Sequence, residues 1–130
     1  MTNVTLLAAR ILLSAIFIIS GLGKMGDVAG FAGYMASGGV PGFLAWPVIL
    51  LEVLGGIAIL VGFQIRYAAL ALAAFSLLSG LLYHFDPADQ MQMTAFLKNL
   101  GLTGGYLLLT VTGAGAWAVD AMMGRNTRTA

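Results

Sequence analysis

Gly42-Phe-Leu-Ala-Trp-Pro-Val-Ile-Leu-Leu-Glu52-Val-Leu-Gly-Gly-Ile-Ala-Ile-Leu-Val-Gly62 is an apolar run broken by a single acid. At ~1.5 Å per residue it has about the length needed to cross a hydrocarbon core ~30 Å thick. An acid at the middle of such a span costs ~2.5–3.5 kcal/mol on insertion scales unless something compensates it. Glu52 is therefore a candidate functional or bundle-organising residue, and the useful question is what it faces.

The rest of the chain repeats the pattern. Of the 130 residues, 60% are hydrophobic and 8% charged, with a mean hydropathy of +0.97; soluble domains sit nearer ~45–50% apolar. The apolar excess falls in long blocks, which predicts one polytopic membrane domain over residues 1–130. The fold expected is all-α, a membrane four-helix bundle with spans at about 6–23, 43–63, 67–83 and 94–112. The first block has no Lys or Arg before Arg10 and no A-x-A site, and it reads as an uncleaved helix. Between the first two spans, Val28 to Met35 reads as a short interfacial amphipathic helix. Pro47 is tolerable in the first turn of the second span, and Pro87 ends the third.

Composition also removes function classes. The net charge of +1 leaves no basic stripe to neutralise phosphates, so no nucleic-acid partner is expected. The absence of cysteine excludes dithiol relays, thiolate zinc sites and cysteine-ligated iron–sulfur clusters. His84 is the single histidine, so a two-histidine haem is excluded; a His–Met pair with Met91 or Met93 stays open. No metal site and no covalently held or motif-bound cofactor is expected.

Basic residues set the orientation. With both termini on one side, that side holds Arg10, Arg66, Arg125 and Arg128, and the other only Lys24 and Lys98. Positive charge belongs inside, so both termini are expected to be cytoplasmic. Small residues suggest the packing: Gly101 and Gly105 form a GxxxG on the fourth span, Ser76 and Gly80 a small pair on the third, and Gly55-Gly56 thins the second. Glycine pairs at 55–56 and 104–105, both in spans running inward, hint at two related hairpins.

Depth then gathers the polar groups. Glu52 lies ~8–14 Å below the outer surface, with Lys98 and Asn99 in the outer turns of the fourth span. Lys24 closes the first span on that side and His84 the third. Arg10 lies ~7 Å from the inner surface, where it either snorkels out or reaches up between helices. Glu52 facing Lys98, with Asn99 and His84 nearby, is the expected compensated site, although Arg10 or Lys24 could serve instead. Snorkelling alone accounts equally for Arg10, Lys24 and Lys98, and a wetted helix end for His84. Trp46, Tyr67, Tyr83 and Trp117 read as an interfacial aromatic belt.

Arg10-Ile-Leu-Leu, Gly21-Leu-Gly-Lys24, Gly39-Val-Pro41, Glu52-Val-Leu-Gly-Gly56, Gly62-Phe-Gln-Ile-Arg66 and Phe96-Leu-Lys98-Asn99-Leu with Gly104-Gly105 resemble, in order and spacing, the DoxX family of small bacterial membrane proteins. The resemblance runs from about Ala9 to Asp120. It implies a four-helix inner-membrane protein with Arg10, Lys24, Glu52, Lys98 and Asn99 as characteristic polar positions. It also implies an association with quinone-linked sulfur oxidation, since DoxX-like chains resemble membrane subunits of a thiosulfate:quinone oxidoreductase. Most members have no assigned reaction.

Three functions compete. The first is a membrane subunit of a quinone-linked oxidoreductase, for which Lys98, Asn99, His84 and Glu52 are suitable donors and proton carriers. The chain has no recognisable redox centre, so a partner oxidoreductase or dissolved donor would supply electrons. The second is a non-catalytic anchor or assembly subunit in the lipid bilayer. The third is a small-solute or proton pathway, which four short helices could form only as a homo-oligomer.

Overall fold

The computed structural model describes residues 2–124; Arg125 and Arg128, half of the charge that orients the chain, lie outside the described residues. Among those described there is no strand. The elements are α1 (Thr2–Met25), α2 (Val28–Ser37), α3 (Ala45–Val61, entered through a 3-10 turn at Gly42–Leu44), α4 (Ile65–Ser79, continued by a π-helical turn at Gly80–His84), α5 (Gln90–Thr112) and a short α6 (Val119–Met122). Each expected span corresponds to one long helix, lengthened by a few residues except α3, which stops at Val61.

Three of these segments are long and apolar enough to cross a membrane: Thr2–Met25, Gly42–Val61 and Ile65–His84. α5 is comparably long at 23 residues but does not meet that standard. Its Gln90, Gln92, Lys98, Asn99 and four threonines dilute the leucines.

The helices associate as two tight pairs, α1 with α3 and α4 with α5, joined through α3 and α4. In the first pair small residues meet the partner helix directly. A Cβ on Gly56 would lie 2.7 Å from Ile18 Cγ1 and 3.2 Å from the Ile18 amide nitrogen, and one on Gly21 would lie 2.6 Å from Val53 Cγ2. Such approach is how apolar helices gain contact where lipid offers no hydrophobic driving force. In the second pair a Cβ on Gly80 would sit 3.1 Å from Asn99 Cβ. Gly55-Gly56 and Ser76/Gly80 thus serve as expected.

The GxxxG of the fourth span does not. A Cβ on Gly101 or Gly104 would meet nothing within 4 Å, and Gly105 abuts only the flexible end of Leu13, at 3.1 Å. The spacing put Gly101 and Gly105 on one face, but the pairing of α4 with α5 turns that face outward. The core lies below the midpoint of the pairs, where Phe17, Ile59, Leu72 and Tyr106 are buried. Tyr106 donates its hydroxyl hydrogen bond to the Leu13 carbonyl at 2.5 Å, pinning α1 to α5 there.

The end carrying the α3–α4 turn is closed by a polar knot. Arg10 is fully buried and donates to the Leu60 carbonyl at 3.1 Å and the Trp117 carbonyl at 2.6 Å. Of its two expected courses it takes the inward one. Asp120, 3% exposed, accepts from the Gln64 and Ile65 amides at 2.7 and 2.9 Å. These are orphan donors at the start of α4, and a carboxylate there also meets the positive end of the helix dipole. Arg66 donates to Thr110 O at 2.7 Å, at the C-terminal end of α5. The turn itself is Gly62–Gln64 rather than 64–66: Gly62 and Gln64 both take left-handed backbone angles and α4 begins at Ile65.

Candidate functional site

Away from the knot the two pairs diverge, and the space between them is a cavity of about 400 Å³. Its walls are apolar: Ile16 and Phe17 from α1, Val48 from α3, Phe75, Leu78 and Leu82 from α4, and Leu102 from α5. α2 covers its end with Phe31, Tyr34 and Met35. Five of the six expected site residues line it, namely Lys24, Glu52, His84, Lys98 and Asn99. The sixth, Arg10, belongs to the knot at the opposite end.

Glu52 is 2% exposed, and its partner is Lys24. Lys24 Nζ lies 2.8 Å from Oε1 and 3.0 Å from Oε2, and it also donates to Ser20 Oγ at 2.8 Å. The ammonium hangs 5.0 Å above the Phe31 ring. This corrects the expected pairing with Lys98. Gly21 lets α1 approach α3 at Val53 and Glu52, which brings Lys24, one turn on, down onto the acid. Lys98 starts from α5, the long helix with least contact with the α1–α3 pair.

Lys98 therefore lines the cavity as an exposed cation that forms no ion pair among the described residues. Asn99 has a different task. Its Nδ2 donates to the Ser76 carbonyl and to Ser79 Oγ, each at 3.1 Å, so both amide hydrogens are spent tying α5 to α4. His84 sits where the π-helical turn has rotated the end of α4. Its Nδ1 is 2.8 Å from Gln92 Oε1. An amide oxygen only accepts, so with that oxygen facing it Nδ1 carries the proton, and Nε2 of the neutral ring is left as an acceptor.

Sequence reading missed three participants. Ser20 stands one helical turn before Lys24 and shares its ammonium. Tyr83, assigned to an aromatic belt, instead stacks on Tyr34 at 5.0 Å and donates to the Met35 carbonyl at 2.7 Å, fastening α2 to α4. Asp120, beyond the last expected span, is the distant cap of α4. The only signal for Ser20 was its i, i+4 spacing; Tyr83 and Asp120 act on backbone far away in sequence and left none.

Chemically, the cavity offers a buried, hydrogen-bonded acid–ammonium pair, one unpaired ammonium and one imidazole acceptor in apolar surroundings. Such a set suits a small amphipathic molecule with oxygen acceptors and exchangeable protons.

Comparison with known proteins accords with this architecture. The sequence profile of the DoxX family matches residues 5–85, which contain Arg10, Lys24, Glu52 and His84 but stop short of α5. Two Escherichia coli (strain K12) relatives extend the similarity. "Inner membrane protein YqjF" is 46% identical over 123 residues, 95% of each chain. "Inner membrane protein YphA" is 36% identical over 124 residues, 90% of this chain and 89% of its own. No solved structure is significantly similar. With more than half of the chain matched by the family profile and nearly all of it by relatives, this integral membrane protein belongs to the DoxX family.

Proposed function

We propose that this protein is a membrane subunit of a quinone-linked oxidoreductase system and that the cavity holds the quinone head group. The observation that carries this reading is the convergence of Lys24, Glu52, His84, Lys98 and Asn99 on one apolar cavity of about 400 Å³, within the ~300–1,000 Å³ typical of small-molecule sites. The chain is a multi-pass protein of the bacterial inner membrane. All four long helices cross, with the knot end and both termini cytoplasmic, so the cavity lies in the outer half.

The residues present fit a quinone. Lys98 Nζ is the free donor for a ring oxygen, His84 Nε2 the acceptor for a hydroxyl of the reduced form, and Phe17, Phe31 and Phe75 supply ring contacts. A bound quinone supplies two-electron, two-proton carrier chemistry. The Lys24–Glu52 pair, hydrogen-bonded through Ser20, holds a proton beside the cavity, and a partner oxidoreductase supplies or takes the electrons. Asn99 positions α5, and so Lys98, by its two bonds to α4.

The test is quinone content. Protein purified in mild detergent should co-purify with extractable quinone, and Lys98→Met and Glu52→Gln should each lose most of it. Wild-type protein free of quinone, and unable to bind added decylubiquinone, would refute the reading.

A second reading, a non-catalytic anchor or assembly subunit, is favoured by the open face of α5. There Gly101 and Gly104 stand among exposed Leu97, Leu108 and Val111, a surface suited to a partner helix. Under it, Lys98→Met would leave partner co-purification intact while substitutions at Gly101 abolished it.

A further inference from the structure

We infer that the cavity is filled sideways, from within the bilayer, through the cleft between α1 and α5, and that its occupant is an amphiphile with a hydrocarbon tail lying in that cleft. The inference deepens the proposed quinone site and rests on it for the head group only.

Both ends of the cavity are shut. At the knot end α1 and α5 are clamped: Tyr106 is bonded to Leu13, Leu13 fills the space beside Gly105, and the Phe17 and Tyr106 rings lie 5.7 Å apart. At the other end α2 forms a roof. Met35 is buried to 4% exposure, the Tyr34 and Tyr83 rings stack, and a Cβ on Gly38 would overlap the Tyr83 ring.

The sides differ. α1 and α3 interlock, as do α4 and α5, while α1 and α5 touch least of the neighbouring long helices. Beyond the Phe17–Tyr106 clamp, among the described residues, no hydrogen bond or ring contact joins α1 to α5. From there on Ile16 and Ser20 of α1 and Ala95, Lys98 and Leu102 of α5 all line the cavity. Ile16 is also 39% exposed and Lys98 is exposed. A side chain that both lines a cavity and reaches the surface marks an opening. Leu78 and Leu82 of α4 do the same, but α4 packs more closely on α3 than α1 does on α5, and the Tyr83–Met35 bond ties its end to the roof. The α1–α5 cleft thus presents an apolar edge to lipid and a lone ammonium just inside. A tailed molecule can enter it without desolvating its tail, because lipid is as apolar as the cleft.

The experiment uses the native lack of cysteine. A bimane on Leu102→Cys, or on Ala95→Cys should the first variant misfold, is placed in lipid nanodiscs and exposed to acyl-chain nitroxide lipids or to aqueous iodide. Nitroxide chains should quench it well and iodide poorly. Ile16→Trp should remove most of the nitroxide quenching, and Leu78→Trp should leave it. Quenching by iodide as strong as by nitroxide, or closure by Leu78→Trp and not Ile16→Trp, would overturn the lateral entry whatever the ligand is. Added decylubiquinone should then protect the bimane. Lateral quenching without that protection would leave the entry standing and remove the quinone assignment.

Discussion

Lys24→Met should destabilise this protein more than Glu52→Gln, although the two changes break the same ion pair. The asymmetry follows from exposure: Glu52 is 2% exposed and Lys24 26%. With Lys24 gone, the carboxylate loses both of its close hydrogen bonds while staying buried, and no other cation forms an ion pair with it among the described residues. Stripping one partner from a buried pair costs about 3–5 kcal/mol. With Glu52 replaced by Gln, the ammonium keeps Ser20, keeps an amide oxygen as acceptor and can relax toward its exposed side. The loss is then that of a hydrogen bond to a charged group, about 1.5–3 kcal/mol. The double variant should lose less than the sum of the single losses, by about 0.5–3 kcal/mol. By contrast, Lys98→Met combined with Glu52→Gln should be additive within about 0.5 kcal/mol, as expected of residues with no shared partner. Equilibrium unfolding in mixed micelles with increasing dodecyl sulfate measures the wild type, the three single variants and the two doubles. Equal single losses with no coupling at Lys24, or coupling at Lys98 in its place, would refute the pairing and the burial argument together.

Packing gives the next expectation. Gly56→Ala, whose new methyl would sit 2.7 Å from Ile18 Cγ1 and close to the α1 backbone, should cost about 1–3 kcal/mol by overpacking, whereas Gly101→Leu should leave unfolding unchanged; the reverse order would mean that the Gly101 face of α5, and not the α1–α3 seam, is the tightly packed one. At the knot, Asp120→Ala should cost about 1–2 kcal/mol, as for loss of a helix cap, and should speed amide exchange at Gln64 and Ile65 above all, an effect that Asp86→Ala should not reproduce. For orientation, Gln90→Cys should react with an impermeant maleimide in intact spheroplasts and Met122→Cys only after lysis; labelling of both from outside would overturn the cytoplasmic placement of the knot.

The long apolar helices were legible because membrane spans announce themselves through length and hydropathy alone, as the Gly42–Gly62 run does. The identity of the polar set was legible for the same reason, since ionisable residues inside such runs are expensive and stand out. Pairing was not. Depth along a helix places Glu52, Lys24, Lys98 and His84 in one layer, but which of them touch depends on helix rotation and on which helices pair. That choice is made by close approach at Gly21 and Gly56, while Gly101, with its GxxxG spacing, makes no such approach. Spacing shows which small residues share a face; it does not show which face another helix meets.

Arg10 and Asp120 make the same point at the other end. Read as a list of charges, Arg10 helps set the orientation of the chain. In the fold its guanidinium donates inward, not to the membrane surface. It ties the last turn of α3 to the Trp117 carbonyl, beside an acid that caps α4 from 56 positions away. This lock is what lets the helix pairs diverge beneath the α2 roof. Because the knot and the Tyr106–Leu13 bond hold the two helix pairs together at one end, the pairs can diverge at the other without separating. The space left by that divergence is the cavity on which Lys24, Glu52, His84 and Lys98 converge. If that is the role of the knot, then loosening it should act on the cavity at a distance. Asp120→Ala should weaken ligand retention although Asp120 touches no cavity residue, and Asp120→Asn, which keeps one acceptor oxygen for the α4 amides, should restore part of it. Quinone content unchanged in Asp120→Ala, alongside a measured loss of stability, would show that the two ends are mechanically independent.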